Sequence, residues 1–171
     1  MDGTPLRRRK PKDLAGYLEA LSRPVFQAGM SWRVIDAKWD GIRDAFAKFH
    51  PQTVADFGPQ EIRRLLGDTR VVRSRPKIEA TIDNAQAVLE LDAEFGGFDR
   101  YLRSHGSFEE TVADLKRQFR FIGDSGAYHF LYVVDRPVPP HNEWFAASRR
   151  SGARRRTGSS EPKNSRSRSA A

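Results

Sequence analysis

Apolar residues in this chain recur at steps of three and four, and Gly or Pro cuts off each run. That pattern admits helices and little else. Asp13 can cap a first amphipathic helix bearing Leu14, Tyr17, Leu18 and Leu21, expected to end near Ser22 where Pro24 interrupts. Trp32, Ile35, Trp39, Ile42, Ala45, Phe46 and Phe49 form a second stripe running to the His50-Pro51 stop. Thr53 can cap a short third helix, and Gly58-Pro59 precedes a fourth that closes at Gly67. Ser74 and Pro76 open a long helix with Ile78, Ile82, Ala85, Val88 and Leu89 on its core side, ended by Gly96-Gly97. Helical spacing returns at Phe98, Tyr101 and Leu102, breaks at Gly106, and resumes from Ser107 through Phe119. A last, almost wholly apolar helix over 127–134 stops at Asp135-Arg136-Pro137. The expected class is all-α.

A length of 171 residues suits one domain with a sizeable core plus tails. Residues 1–12, basic and poor in apolar side chains, read as a disordered arm; 13–147 read as the helical domain, and the Arg/Ser-rich 148–171 as a second disordered tail. The net charge of +8 is uneven, being +4 over 1–12, −3 over 13–147 and +7 over 148–171. Any attraction for phosphate therefore comes from two arms and from local patches, not from the domain as a whole. With no Cys, thiol redox chemistry and thiolate metal sites are excluded. No apolar run approaches the ~20 residues of a spanning helix, so a cytoplasmic, membrane-free protein is expected.

Two loops interrupt the helices in ways that can present side chains. In Phe26-Gln27-Ala28-Gly29-Met30-Ser31-Trp32, Gly29 can supply a left-handed backbone and Ser31 can cap the helix that Trp32 opens. Around Phe121-Ile122-Gly123-Asp124-Ser125-Gly126, two helices meet at a Gly-punctuated turn. Such a turn is either an ordinary helical corner or a helix-hairpin-helix element whose backbone N–H groups face a DNA phosphate.

With both loops in view, the sequence resembles the DNA-3-methyladenine glycosylase I family of the helix-hairpin-helix superfamily. The likeness runs in order through Gln27 to Trp32, Phe46 to Val54, Val71-Val72-Arg73-Ser74-Arg75-Pro76-Lys77-Ile78, Asn84-Ala85, and Phe119-Arg120-Phe121-Ile122-Gly123-Asp124-Ser125 with Tyr128 and Phe130. The resemblance implies excision of alkylated bases from double-stranded DNA by base flipping, in the nucleoid, by a monomer without cofactor. It places Trp32 and Phe26 in the base pocket and Gln27 and Met30 in a wedge that fills the vacated duplex. It gives phosphate contacts to Gly123, Asp124, Ser125, Arg73, Arg75 and Lys77.

The chain departs from that family at three points, one being the family's N-terminal tyrosine- and tryptophan-bearing segment, which residues 1–12 are too short and too basic to supply. Pro24 stands eight residues before the motif's tryptophan, where the family has its pocket glutamate. The family's zinc, held by two Cys and two His, has no counterpart here: Pro140 and Trp144 occupy the relevant positions and His141 is alone nearby. No zinc is expected. Candidate replacements for the lost carboxylate are Glu19 on the first helix and Asp135 after the last, the latter also readable as a helix terminator. His129 reads as a hydrogen-bonded core residue, and Glu109-Glu110 as a solvated helix start. Beside the glycosylase reading stand a non-catalytic relative that recognises distorted duplex, and an interaction protein acting through its tails.

Overall fold

The computed structural model describes residues 8–147, so residues 1–7 and the tail over 148–171 lie outside the described residues. Among the described residues, no helix is long and apolar enough to cross a membrane. The chain divides into two compact units, Met1–Val138 and Pro139–Ala171. The first unit contains α1 (Leu14–Gln27), α2 (Trp32–Ala45), a 3₁₀ turn (Ala47–Phe49), α3 (Pro51–Ala55), α4 (Pro59–Leu66), α5 (Arg75–Phe95), α6 (Phe98–Arg103), α7 (Phe108–Gln118) and α8 (Asp124–Val133). In the second unit, the described residues form a helical segment over 141–147.

α5 is the spine, packed against α1, α3, α4 and α6, while α1 also meets α2 and α8. Leu18, Leu21, Val25 and Phe26 of α1, Ile35 and Ile42 of α2, and Ile78, Ala85 and Val88 of α5 have no exposed surface. Deleting one of these large aliphatic side chains would cost about 2–5 kcal/mol. Side-chain oxygens of Asp13 and Ser31 accept from the N–H groups of Gly16 and Val34, capping α1 and α2 where the sequence predicts, and Ser107 caps α7 through the Glu110 N–H.

α1 does not end near Ser22. It continues through Pro24 to Gln27, although proline removes one helical hydrogen bond and crowds the preceding turn. Packing supports it there. Pro24 is buried, and a Cβ placed on Gly126 of α8 would stand 3.2 Å from the Pro24 Cβ, so Gly126 permits the close approach of the two helices. The second stripe also breaks earlier than expected. Ala47, Lys48 and Phe49 take φ of 52°, 55° and 57°, a left-handed turn of three L-residues, which costs roughly 1–2 kcal/mol per residue. That turn folds Phe49 back onto Trp39 at 5.4 Å and onto Phe46 at 5.7 Å, both nearly parallel. Burial of the aromatic layer offsets the strain. α3 then opens on Pro51 with His50 at its cap, leaving Thr53 inside the helix.

The arm is not loose throughout. Arg9 N–H donates to the Val133 carbonyl at 2.9 Å, and the Arg8 guanidinium donates to the carbonyls of Tyr132 and Arg136 at 3.0 and 2.6 Å. The Val133 and Tyr132 carbonyls end α8 and that of Arg136 follows it, so residues 8 and 9 tie down the helix terminus and the chain that leaves it. Farther along, Tyr101 donates to Asp114 at 2.6 Å, with His105 and Arg117 on the same carboxylate. Burial would raise the Asp114 carboxyl, but these donors outweigh it and hold it at about 2.

Candidate functional site

The loop between α1 and α2 is a tight turn. Ala28 (φ −50°, ψ 118°) and Gly29 (φ +79°) have type II geometry, closed by Met30 N–H to the Gln27 carbonyl at 2.7 Å. The Gln27 amide nitrogen donates back to the Met30 carbonyl at 2.8 Å, so Gln27 holds the turn while half-buried Met30 is the larger side chain it presents. Lys77 anchors the turn from α5. Its ammonium donates to the Phe26 carbonyl at 3.1 Å and to the Ala28 carbonyl, and burial lowers its pKa. Two of its three donors thus hold the turn, a duty other than the phosphate contact that the resemblance implies. Phe26 is corrected too: it is wholly enclosed against Trp39 and Phe46, so it belongs to the core and not to an open pocket.

Trp32, the first residue of α2, is half-buried, and its ring lies on the His129 imidazole with centroids 4.4 Å apart and planes at 30°. His129 lies three residues after Gly126 on α8, so both stand on the helix face turned to Pro24. The juxtaposition joins Trp32, the helix face that meets Pro24, and an imidazole. Burial, with the positive charge of Arg23, pushes the His129 pKa down to about 4, against a smaller opposing pull from Asp36. The ring is neutral at pH 7. Its Nε2 is buried and has no hydrogen-bond partner among the described residues, contrary to the expected satisfied core histidine. Arg23 pairs with Asp36 at 2.8 Å and lies 4.6 Å over the Trp39 ring. Sequence reasoning passed over both; the i,i+4 spacing of Trp32 and Asp36 was the available signal.

Glu19 and Asp135 have other duties. Glu19 Oε1 accepts from Trp39 Nε1 at 2.9 Å and from the Arg43 Nε at 2.7 Å, tying α1 to α2. It also stands on the wall of a groove of about 450 Å³ with Arg9, Lys12, Arg23, Val133 and Val134. Asp135, at φ +63°, ends α8. Its N–H donates to the Tyr132 carbonyl and the next, from Arg136, to the Leu131 carbonyl, a Schellman closure with Asp at the left-handed position. Its carboxylate is 3.7 Å from Arg8. The charges that act on His129 are Arg23 and Asp36, and neither Glu19 nor Asp135 is among them.

The hairpin joins α7 to α8, with exposed Phe121 at φ +59° and Gly123 at the cap of α8. Asn84, buried on α5, fixes it by pairing with the Arg120 backbone, its amide donating to the carbonyl at 3.1 Å and accepting from the N–H at 2.8 Å. No side chain caps α8, so the N–H groups of its first turn face outward beside exposed Ser125. The Asp124 carboxylate pairs with Lys116 at 3.0 Å, leaving its backbone as the part suited to an anion. On the basic segment, Arg75 is 3.5 Å from Glu79, whereas exposed Arg73 has no ion-pair partner among the described residues. The family's zinc does not fit this chain. There is no Cys to bind it, and among the described residues no three His, Asp or Glu side chains gather as ligands.

A family model described as methyladenine glycosylase matches residues 9–120, taking in the pinned end of the arm and stopping just before the hairpin. DNA-3-methyladenine glycosylase 1 of Escherichia coli is 28% identical over 126 residues, covering 61% of this chain and 67% of that protein. The Haemophilus influenzae DNA-3-methyladenine glycosylase is 29% identical over 126 residues, with 61% and 68% covered. Among solved structures, 3-methyladenine DNA glycosylase I of Staphylococcus aureus superposes with a TM-score of 0.66 at 26% identity, over 81% of this chain and 89% of that one. A tyrosine-to-phenylalanine variant of 3-methyladenine DNA glycosylase I, in complex with 3-methyladenine, gives 0.66 at 25% identity over 76% and 81%. The chain, all-helical and matched over most of its length, belongs to the methyladenine glycosylase family.

Proposed function

We propose that this protein is a DNA N-glycosylase that excises alkylated purines, 3-methyladenine foremost, from double-stranded DNA. The observation that carries the reading is Trp32: a half-buried indole at the first residue of a capped helix, directly after a rigid turn, in a chain of this family. An aromatic face suits a cationic base. Met30 wedges into the duplex behind the flipped nucleotide, while the Gly123, Asp124 and Ser125 backbone and the side chains of Arg73 and Arg75 hold phosphates. An alkylated purine carries positive charge and leaves readily, so orientation, desolvation and an attacking water suffice without a strong general acid. The enzyme works as a monomer, without zinc, on nucleoid DNA, and the charges over 1–12 and 148–171 add sequence-independent affinity.

The test is release of free base from methylated duplex by purified protein, resolved by chromatography. Free 3-methyladenine above the spontaneous rate supports the reading. Pro24 favours one alternative, a relative that binds the lesion without cleaving it; selective binding of methylated duplex with no base released would identify that.

A further inference from the structure

A buried nitrogen without a partner forfeits its hydration for nothing in return. Of the buried side-chain nitrogens and oxygens described over 8–138, His129 Nε2 alone is in that state. It lies at the stacking tryptophan, on the helix face that meets Pro24. We propose that His129 is the base-recognising residue of this site: as the base enters, the imidazole swings off the indole, and Nε2 accepts a hydrogen bond from the exocyclic amine of a cationic 6-aminopurine. The inference rests on the reading above that Trp32 stacks the flipped base.

Three features support it. In the free protein the imidazole covers a face of Trp32 at 4.4 Å, the place a flat aromatic ligand would take, so ligand entry frees the ring to turn about χ2. The ring is neutral, so Nε2 can carry a lone pair when Nδ1 holds the proton, and it does not repel a cation. Arg23, the nearby positive charge, is paired with Asp36 at 2.8 Å, which reduces its repulsion of a charged base. An amine on a cationic ring is a strengthened donor. A neutral acceptor therefore recovers part of what a carboxylate would supply, and it selects for the amine more than for the charge.

The experiment uses the full chain and calorimetry with two permanently charged ligands, 3,9-dimethyladeninium and 3,9-dimethylpurinium, which differ in the amine alone. Wild-type protein should bind the amino compound about ten-fold or more tightly, the scale of one hydrogen bond to a charged group. His129→Leu, checked for folding by its thermal melt, should abolish that preference, and His129→Gln should keep part of it. Equal affinity in wild type, tighter binding of the compound without the amine, or a preference that survives in His129→Leu overturns the role of His129 and leaves base stacking standing. Failure of wild type to bind either ligand overturns base stacking and this inference with it.

Discussion

Trp32 and Trp39 are two helical turns apart on one helix, so they lie on nearly the same face. Their surroundings are opposite. Trp39 is 2% exposed, stacked on the Phe49 ring, and its indole N–H is bonded to Glu19 at 2.9 Å. Trp32 is only half-buried, and the ring it rests on keeps a nitrogen without a partner among the described residues. One tryptophan sits in a finished environment and the other in an unfinished one. Satisfied polar atoms mark a side chain whose work is stability, and an unsatisfied one marks a place still to be filled.

The contrast predicts effects of different kinds. Trp39→Ala removes a buried ring, strips Glu19 of one donor and exposes the left-handed turn, so it should cost about 3–5 kcal/mol in denaturant unfolding. Trp32→Ala should cost about 1 kcal/mol or less. Equal losses at the two positions would break the comparison.

Next in size is an acid limb in the stability curve. His129 titrates near its ordinary value of about 6.5 when unfolded and at about 4 when folded, so the folded chain binds fewer protons between those values. Its contribution is complete above about pH 6.5 and is lost as pH falls to about 4, on the order of 3 kcal/mol. His129→Leu should flatten that limb. A second decline, from Asp114, whose folded carboxyl is held at about 2, begins lower, as pH falls below about 4, and should survive the substitution. Unfolding midpoints measured from pH 8 to 3 separate the two.

The helices, the caps at Asp13 and Ser31, and the turn at Gly29 were legible because each depends on local spacing and local backbone chemistry. The loop motif that led to the family was likewise contiguous. What escaped depends on distant partners. Pro24 reads as a helix stop until Gly126 is seen against it, and the positive φ at 47–49 has no Gly or Asn to announce it. Residues 8 and 9 look like a disordered arm by composition, yet they cap carbonyls at the far end of the domain. His129 meets Trp32 across most of the chain, and no spacing rule connects them. Phe26 and Lys77 lie within or beside the right motifs, but the fold turns one into the core and the other onto the loop's carbonyls.

On the ligand side, Trp32→Ala should weaken binding to alkylated duplex by about 1–3 kcal/mol, the scale of one base–aromatic stack. Affinity for undamaged duplex should scarcely change. Fluorescence anisotropy with matched damaged and undamaged duplexes checks this, and parallel losses on both would place Trp32 outside base recognition.

The smallest effect concerns Arg73 and Lys77, cations four residues apart that repeat the contrast between open and committed groups. Arg73 is exposed with no ion-pair partner among the described residues, whereas Lys77 is bound to two carbonyls of the turn between α1 and α2. A cation that neutralises a phosphate releases counterions, so each contact contributes about 0.9 to the slope of log K against log salt. Arg73→Ala should therefore lower that slope by about 1 and weaken damaged and undamaged duplex alike. Lys77→Met should leave the slope unchanged, since its ammonium is engaged by the Phe26 and Ala28 carbonyls, but should reduce the preference for damaged duplex by loosening the turn that carries Met30. If Lys77→Met lowers the slope and spares the preference, its ammonium leaves the carbonyls when DNA binds, and the two cations play the same part.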